Sequence, residues 1–329
     1  MTNPIRRRLA VSAALSPLIA ALPGAAQDAW PARPIRLLIP SAAGAGSDQL
    51  ARIMAERLGA ALKQPIIADN RPGGNGTIAT TAMIKSAPDG YTLLYTNGSF
   101  TVMLAALQSD LPFDVLRDLV PVAITVIGGV VLLVNPNVPA KNLAELIELV
   151  KASPDRYGTY GSWSVGSNGH LTMEWLKNRT GMKIAHVPYK GIPSLLTELM
   201  SGVLQIGWSD PISPVQFIKA GKLRAIAVNG GVRIPQLPDL ATFGEQGHPF
   251  PAVGWQGIFA PPGTPQAIIS RLNGEVNRIQ ATPDLQALMT RMNVEPPPIW
   301  STEQFRDMIR NDLQVWKKIV VDGKITMDK

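Results

Sequence analysis

Between residues 35 and 260 short apolar runs of strand length alternate with stretches of helical periodicity. That alternation restricts the chain to sheets of mostly parallel strands flanked by helices. Strands are expected at 35–39, 66–68, 92–95, 131–134, 159–161, 184–187, 206–208, 225–228 and 257–260. Helices are expected at 48–62, 76–86, 143–152, 170–178, 192–201, 215–220, 266–281, 284–292 and 303–321. Glycine and proline fall between these elements, as in Pro88-Asp89-Gly90 and Arg71-Pro72-Gly73-Gly74-Asn75-Gly76. Thr264-Pro265, Thr282-Pro283 and Ser301-Thr302-Glu303 read as helix starts.

No flexible linker separates two sequential domains. The apolar stretch 120–134, interrupted only by Gly128-Gly129, reads as a strand leaving one lobe and a strand entering the next. The three helices after Thr264 have few strands of their own to cover and are expected to return to the first lobe. The expectation is a two-lobed α/β fold in which each lobe is a mostly parallel sheet flanked by helices. Residues 27–128 and 248–329 form lobe 1, 129–247 form lobe 2, and a two-strand hinge joins them.

Two helices open on glycine-rich turns, one in each lobe. The first turn is Ser41-Ala42-Ala43-Gly44-Ala45-Gly46-Ser47-Asp48. The second is Gly161-Ser162-Trp163-Ser164-Val165-Gly166-Ser167-Asn168-Gly169-His170. The start of a helix leaves backbone N–H groups unpaired and carries about half a positive charge, and glycine lets a ligand come close. Each turn is therefore a candidate anion cradle, and two facing cradles would grip a small molecule from both sides.

Residues 1–26 read as a signal peptide: Arg6, Arg7 and Arg8 precede an apolar stretch from 9 to 22, and Gly24-Ala25-Ala26 suits cleavage before Gln27. The paired arginines leave the Sec and twin-arginine routes both open. The chain has no cysteine, which excludes disulfides, thiolate chemistry and a lipid-bearing cysteine. Three of the 31 Lys and Arg residues lie in the leader, leaving 28 against 24 acids. These charges are dispersed, so no nucleic-acid footprint is expected.

Catalytic and cofactor signatures are missing. Gly44-Ala45-Gly46 follows a strand, yet Gln49 stands where a dinucleotide fingerprint needs its third glycine. Gly221-Lys222 continues with Leu223, so there is no phosphate loop. His170, His186 and His248 are too scattered for zinc, and Trp163 and Val165 flank Ser164 where a nucleophile elbow needs glycine. No cofactor, no metal and no enzymatic activity are expected. His170 at a helix start is disfavoured as a cation and serves as a neutral structural or ligand donor, while Asp48 serves as a helix N-terminal acid or a ligand group.

Several segments in order resemble the Bug family, the periplasmic solute receptors of tripartite tricarboxylate transporters. They are Gly44 to Asp48 before Ala51-Arg52, Asn70-Arg71-Pro72-Gly73, Asp89-Gly90-Tyr91-Thr92-Leu93-Leu94, and Tyr160-Gly161-Ser162 with Gly166 and His170. Further along come Val187-Pro188-Tyr189-Lys190-Gly191, Ala220-Gly221-Lys222-Leu223-Arg224-Ala225 and Phe259-Ala260-Pro261-Pro262-Gly263-Thr264-Pro265. The resemblance implies a periplasmic binding protein fold of type II character, a monomer that closes on a small carboxylate and delivers it to a membrane permease. It implies that Ser41, Ala43, Gly44, Ala45, Gly46, Ser47 and Asp48 clasp the ligand from one lobe. Gly161, Ser162, Trp163, Ser164, Gly166, Ser167, Asn168 and His170 then clasp it from the other.

Ser99, ending the third strand, adds a hydroxyl on the same rim, and Trp208 and Asp210 lie at a strand end expected to face the cleft. Relative to the family, Ser41, Ala43 and Ala45 replace an aromatic, a proline and a glycine, while Trp163 stands where small residues are common. Two indoles on the second lobe point to an aromatic mono- or dicarboxylate if they stack on it, and to nothing about the ligand if they pack under the sheet. Asp210 would bind a ligand hydroxyl or amine, accept from the hinge backbone, or cap the helix after Pro211. Lys190 either closes over the mouth or stays in solvent. A secreted hydrolase acting on a carboxylate ester, and a ligand-binding subunit of a sensory system, are the alternatives.

Overall fold

The computed structural model describes residues 30–252, 254–295 and 297–326, so the expected leader and its cleavage point lie outside the described residues. The first half runs β1 (Ile35–Ile39), α1 (Gly46–Leu62), β2 (Ile66–Asn70), α2 (Thr77–Ile84), β3 (Thr92–Asn97), α3 (Val102–Leu107), α4 (Val115–Asp118) and β4 (Val120–Gly128). The chain then crosses into β5 (Val131–Val134), α5 (Leu143–Ala152), α6 (Pro154–Tyr157), β6 (Thr159–Ser162), α7 (Asn168–Thr180) and β7 (Ala185–Pro188). α8 (Ile192–Ser201), β8 (Ile206–Ser209), α9 (Val215–Lys219) and β9 (Arg224–Val228) complete that part. It returns as β10 (Gly254–Ala260) and ends with α10 (Gln266–Gln280), α11 (Pro283–Arg291) and α12 (Thr302–Asp322).

Two five-stranded sheets result, ordered β2-β1-β3-β10-β4 and β7-β6-β8-β5-β9. β1 pairs in parallel with β2 and β3, and β6 with β7 and β8. β10 is antiparallel to β3 and β4, and β5 is antiparallel to β8 and β9. Both sheets are therefore mixed rather than simply parallel. The strand that arrives from the other lobe enters at the end facing that lobe and must run against its neighbours. The two crossings touch: a Cβ on Gly129 would stand 2.3 Å from the Gly230 amide nitrogen, so both positions need glycine for backbone to pack on backbone.

The run Val131-Leu132-Leu133-Val134 has no polar residue because both faces are covered. Leu132 and Val134 join Tyr160, Trp208 and Phe243 on one side, while Val131 and Leu133 meet Leu195 and Leu199 of α8 on the other. In the first lobe Leu94, Val102 and Phe259 pack with Phe305 and Trp316 of α12, so the C-terminal helix does return there. Ser301 and Gln304 close a reciprocal capping box at its start. The expected cap at Thr264 differs: α10 begins after Pro265, and the Thr264 hydroxyl donates to Pro261 O instead.

Candidate ligand cleft

A cleft of about 730 Å³ lies between the two sheets. Its walls come from the segments after β1, β2, β3, β6, β7 and β8, the carboxyl ends of parallel strands where open α/β sheets present ligands. Both glycine-rich turns reach it. Ser41, Ala42, Ala45 and Ser47 line one wall, and Trp163, Ser164, Val165 and Asn168 line the other.

The first turn is built by Asp48, which is buried and does not line the cleft. Its carboxylate accepts from the Gly44 amide (2.9 Å), Asn70 Nδ2 (2.8 Å) and Arg52 Nε (3.0 Å). Burial by itself would raise the Asp48 carboxyl, but these donors outweigh it and hold the group below the usual range. Asn70 also donates to Ser41 O, tying β2 to the turn. Ala43 and Gly44 are on the exposed outer side, Gly44 at φ +83°, while Ser41 and Ser47 share a hydroxyl hydrogen bond of 2.5 Å on the inner side. α1 starts two residues earlier than expected, with Gly46 in its first turn and Ala45 as an N-cap without a side-chain acceptor.

The partner of the Gly46 amide is on the other lobe: Asp210 Oδ2 stands 3.4 Å away. A Cβ on Gly46 would lie 2.5 Å from Asp210 Oδ1, so only glycine lets the β8 loop come this close. Asp210 also accepts from the Ile212 and Ser213 amides at 2.7 and 2.8 Å and from the Ser213 hydroxyl at 2.8 Å. It closes the turn after Pro211 rather than capping α9, whose N-cap is Pro214.

The second turn is held by a polar cluster under the cleft wall. The Ser162 hydroxyl donates to Ser164 O (3.0 Å) and accepts from the Ser167 hydroxyl (2.8 Å). Its proton being spent on a carbonyl, Ser162 Oγ can only accept from His186 Nε2 at 2.7 Å. The pair thus lacks the polarity of a nucleophile and its base. His170 Nδ1 accepts from the Gly166 amide (3.0 Å), which places the ring proton on Nε2, and the ring stacks on His186 with centroids 4.1 Å apart. Burial first, then the neighbouring His170 and Lys177, lower His186 to about 3, so it is neutral at physiological pH. Ser162, Gly166, Ser167 and His170 shape the turn without lining the cleft.

Two further expected cleft residues, Gly161 and Trp208, are also elsewhere. A Cβ on Gly161 would meet Leu204 Cδ2 at 2.6 Å, so this glycine is a spacer against the α8 layer. Trp208 is 0 % exposed and points into the second-lobe core beside Phe243, not into the cleft. Alternation along β8 sends its side chain to the α7 face, and Gly169 makes room for it, since a Cβ there would be 2.4 Å from Trp208 Cβ. Trp163 remains half-buried at the cleft wall.

Trp255, Gln256, Phe100, Met103 and the 73–76 loop also line the cleft and are not among the expected contacts. Trp255 is the second residue of β10, two residues before the expected strand, and its Nε1 donates to buried Asp312 of α12 at 2.6 Å. Residues 73 to 76 all have positive φ, the one non-glycine being Asn75 at +49°. Among the described lining residues only Asp210 and Lys190 bear charge, and Lys190 is exposed at the mouth beside Tyr189, whose hydroxyl donates to Glu198. No group of three His, Asp or Glu side chains able to hold a metal occurs among the described residues.

Residues 50–324 match the family model described as the tripartite tricarboxylate transporter family receptor, TctC. The protein BugT of Bordetella pertussis is 34 % identical over 302 residues, covering 89 % of this chain and 90 % of that one. A solved structure of a periplasmic transporter superposes with a TM-score of 0.86 at 31 % identity, covering 91 % of this chain and all of the other. The R. palustris protein Rpa4515 with adipate gives 0.85 at 29 % identity, covering 90 % and 99 %. MatC from Rhodopseudomonas palustris with bound malate gives 0.83 at 27 %, covering 88 % and 100 %. With one continuous match over most of its length, this chain belongs to the receptor family of the tripartite tricarboxylate transporters.

Proposed function

We propose that this receptor is exported to the periplasm, captures an aromatic mono- or dicarboxylate between its lobes, and hands it to a membrane permease. The observation that carries the reading is the shared cleft, with the α1 turn on one wall and the α7 turn on the other. Ser41, Ala45, Ser47, Ser99, Trp163, Ser164 and Asn168 supply the contacts in this reading. Helix N-termini and hydroxyls suit a carboxylate, and no buried arginine is needed to receive it. Trp163 and Tyr189 are half-buried and offer flat apolar faces to the same space, which favours an aromatic body over a short aliphatic one. The adipate and malate of the related structures fit the carboxylate part of the reading. Closure follows from the differential contacts of a guest that touches both walls.

Titration with terephthalate, phthalate, benzoate, adipate, malate and citrate tests it, read by tryptophan fluorescence and by thermal melts. An aromatic acid at 100 times its dissociation constant is expected to stabilise the fold by about 2.7 kcal/mol, with saturable quenching. Response to the aliphatic acids alone refutes the aromatic preference, and no response to any acid refutes the carboxylate reading.

A further inference from the structure

We propose that Asn97 and Gln256 form a paired-carboxamide subsite that receives an uncharged oxygen, a hydroxyl or a carbonyl, on the side of the guest away from its carboxylate. The inference rests on the carboxylate reading above and names the second functional group of that guest. Asn97 ends β3, Gln256 is the third residue of β10, and the two are direct partners in the antiparallel β3–β10 ladder. Side chains directly opposite each other on such a pair leave the sheet on the same face, with Cβ atoms about 5 Å apart. Both residues are half-buried and both line the cleft. Neither belongs to the two glycine-rich turns.

The polarity of Asn97 is fixed by its own loop. The Ser99 and Phe100 amides donate to Asn97 Oδ1 at 3.0 and 3.3 Å, which identifies that atom as oxygen and leaves Nδ2 as a donor. Among the described residues Nδ2 meets no acceptor and is not shut away from solvent, so it is open to a guest. The Gln256 carbonyl accepts from the Thr125 hydroxyl at 3.1 Å, but its side-chain Oε1 has no partner. A carboxamide whose oxygen is unmet turns about its last torsion at little cost, so Gln256 offers a donor or an acceptor beside the fixed donor of Asn97. A hydroxyl uses both, accepting from Asn97 and giving its proton to Gln256. No charge is at hand to balance a second carboxylate: among the described lining residues Asp210 is an anion, and Lys190 is exposed at the mouth. A half-buried anion without compensation is costly, whereas a neutral oxygen makes the same bonds without that cost. β3 stands between β1 and β10, so Gln256 lies about 10 Å across the sheet from β1, whose exit carries the α1 turn. An aromatic ring with an oxygen at each end, and a hydrogen bond of about 3 Å on either side, spans a gap of that size. A guest seated on the α1 turn thus brings its far substituent to the pair.

Calorimetric titration at pH 7 compares benzoate, 3-hydroxybenzoate, 4-hydroxybenzoate and terephthalate, in wild type and in Gln256→Leu, which removes the amide and nearly keeps the volume. At least one hydroxybenzoate is expected to bind wild type about 10-fold more tightly than benzoate, and terephthalate no more tightly than benzoate. In Gln256→Leu the hydroxybenzoate advantage should shrink to about 3-fold while benzoate affinity stays within about 2-fold of wild type. A merely structural role for Gln256 would weaken all four guests together. Should Gln256→Leu not fold, Gln256→Met makes the same comparison. Hydroxybenzoates no tighter than benzoate, terephthalate tighter than both, or an undiminished advantage in the variant overturns the inference and leaves the carboxylate reading standing. Failure of wild type to bind any of the four probes overturns both.

Discussion

Trp208→Ala is expected to lower the unfolding free energy by about 3–5 kcal/mol, because a fully buried indole leaves a cavity that its neighbours cannot close. Denaturant unfolding measures it. The site is already tight: Gly169 admits no side-chain atom above Trp208, and Phe243 stands against the ring with centroids 5.7 Å apart. Trp163→Ala should behave in the opposite way. Its half-buried side chain contributes less to the core, so the loss there should appear in guest binding and fluorescence quenching. A stable Trp208→Ala protein with impaired guest binding would reverse the assignment of the two indoles.

Asp312→Asn is expected to remove a pH dependence of stability. Burial pushes the Asp312 carboxyl up to about 6, although the indole N–H groups of Trp255 and Trp316 work against the shift. With an unfolded value near 3.9, the folded state binds more protons than the unfolded state between about pH 4 and 6. Stability from this group is fully present below pH 4 and falls as pH rises to about 6, by about 3 kcal/mol in all. Asparagine never ionises and still accepts from Trp255. The variant should therefore be more stable than wild type by about 3 kcal/mol at pH 7.5 and should lack the slope between pH 4 and 6. Urea unfolding at half-unit steps from pH 4 to 8 decides the matter. An unchanged slope would show that another carboxyl carries it.

The strand-helix alternation was legible because each element has its own periodicity and its own turn residues. The β1 and β5 limits match the expected ones, since both runs are closed by proline or asparagine turns. α3 escaped because Val102 to Leu107 is apolar throughout, and a run without periodicity does not distinguish a buried helix from a strand. The cleft was half legible. Its two turns carry a local glycine pattern, but Asn229, His186 and Trp255 act through partners 61, 24 and 57 residues away, and no local pattern records such pairs. Trp208 was misplaced for a related reason: one residue of a strand decides which face a side chain takes, and the neighbours that require that face lie on α7 and in the 229–252 segment.

The interior position of β10 in the first sheet sets an order on assembly. β2, β1 and β3 emerge early, and β4 emerges with no strand beside it until residues 254–260 arrive to bridge the gap. The second sheet is assembled wholly from residues 131–228. Its closing contacts span shorter lengths of chain, so loop-closure entropy favours its nucleation ahead of the first. The lobe that starts the polypeptide is in this way the last to become whole.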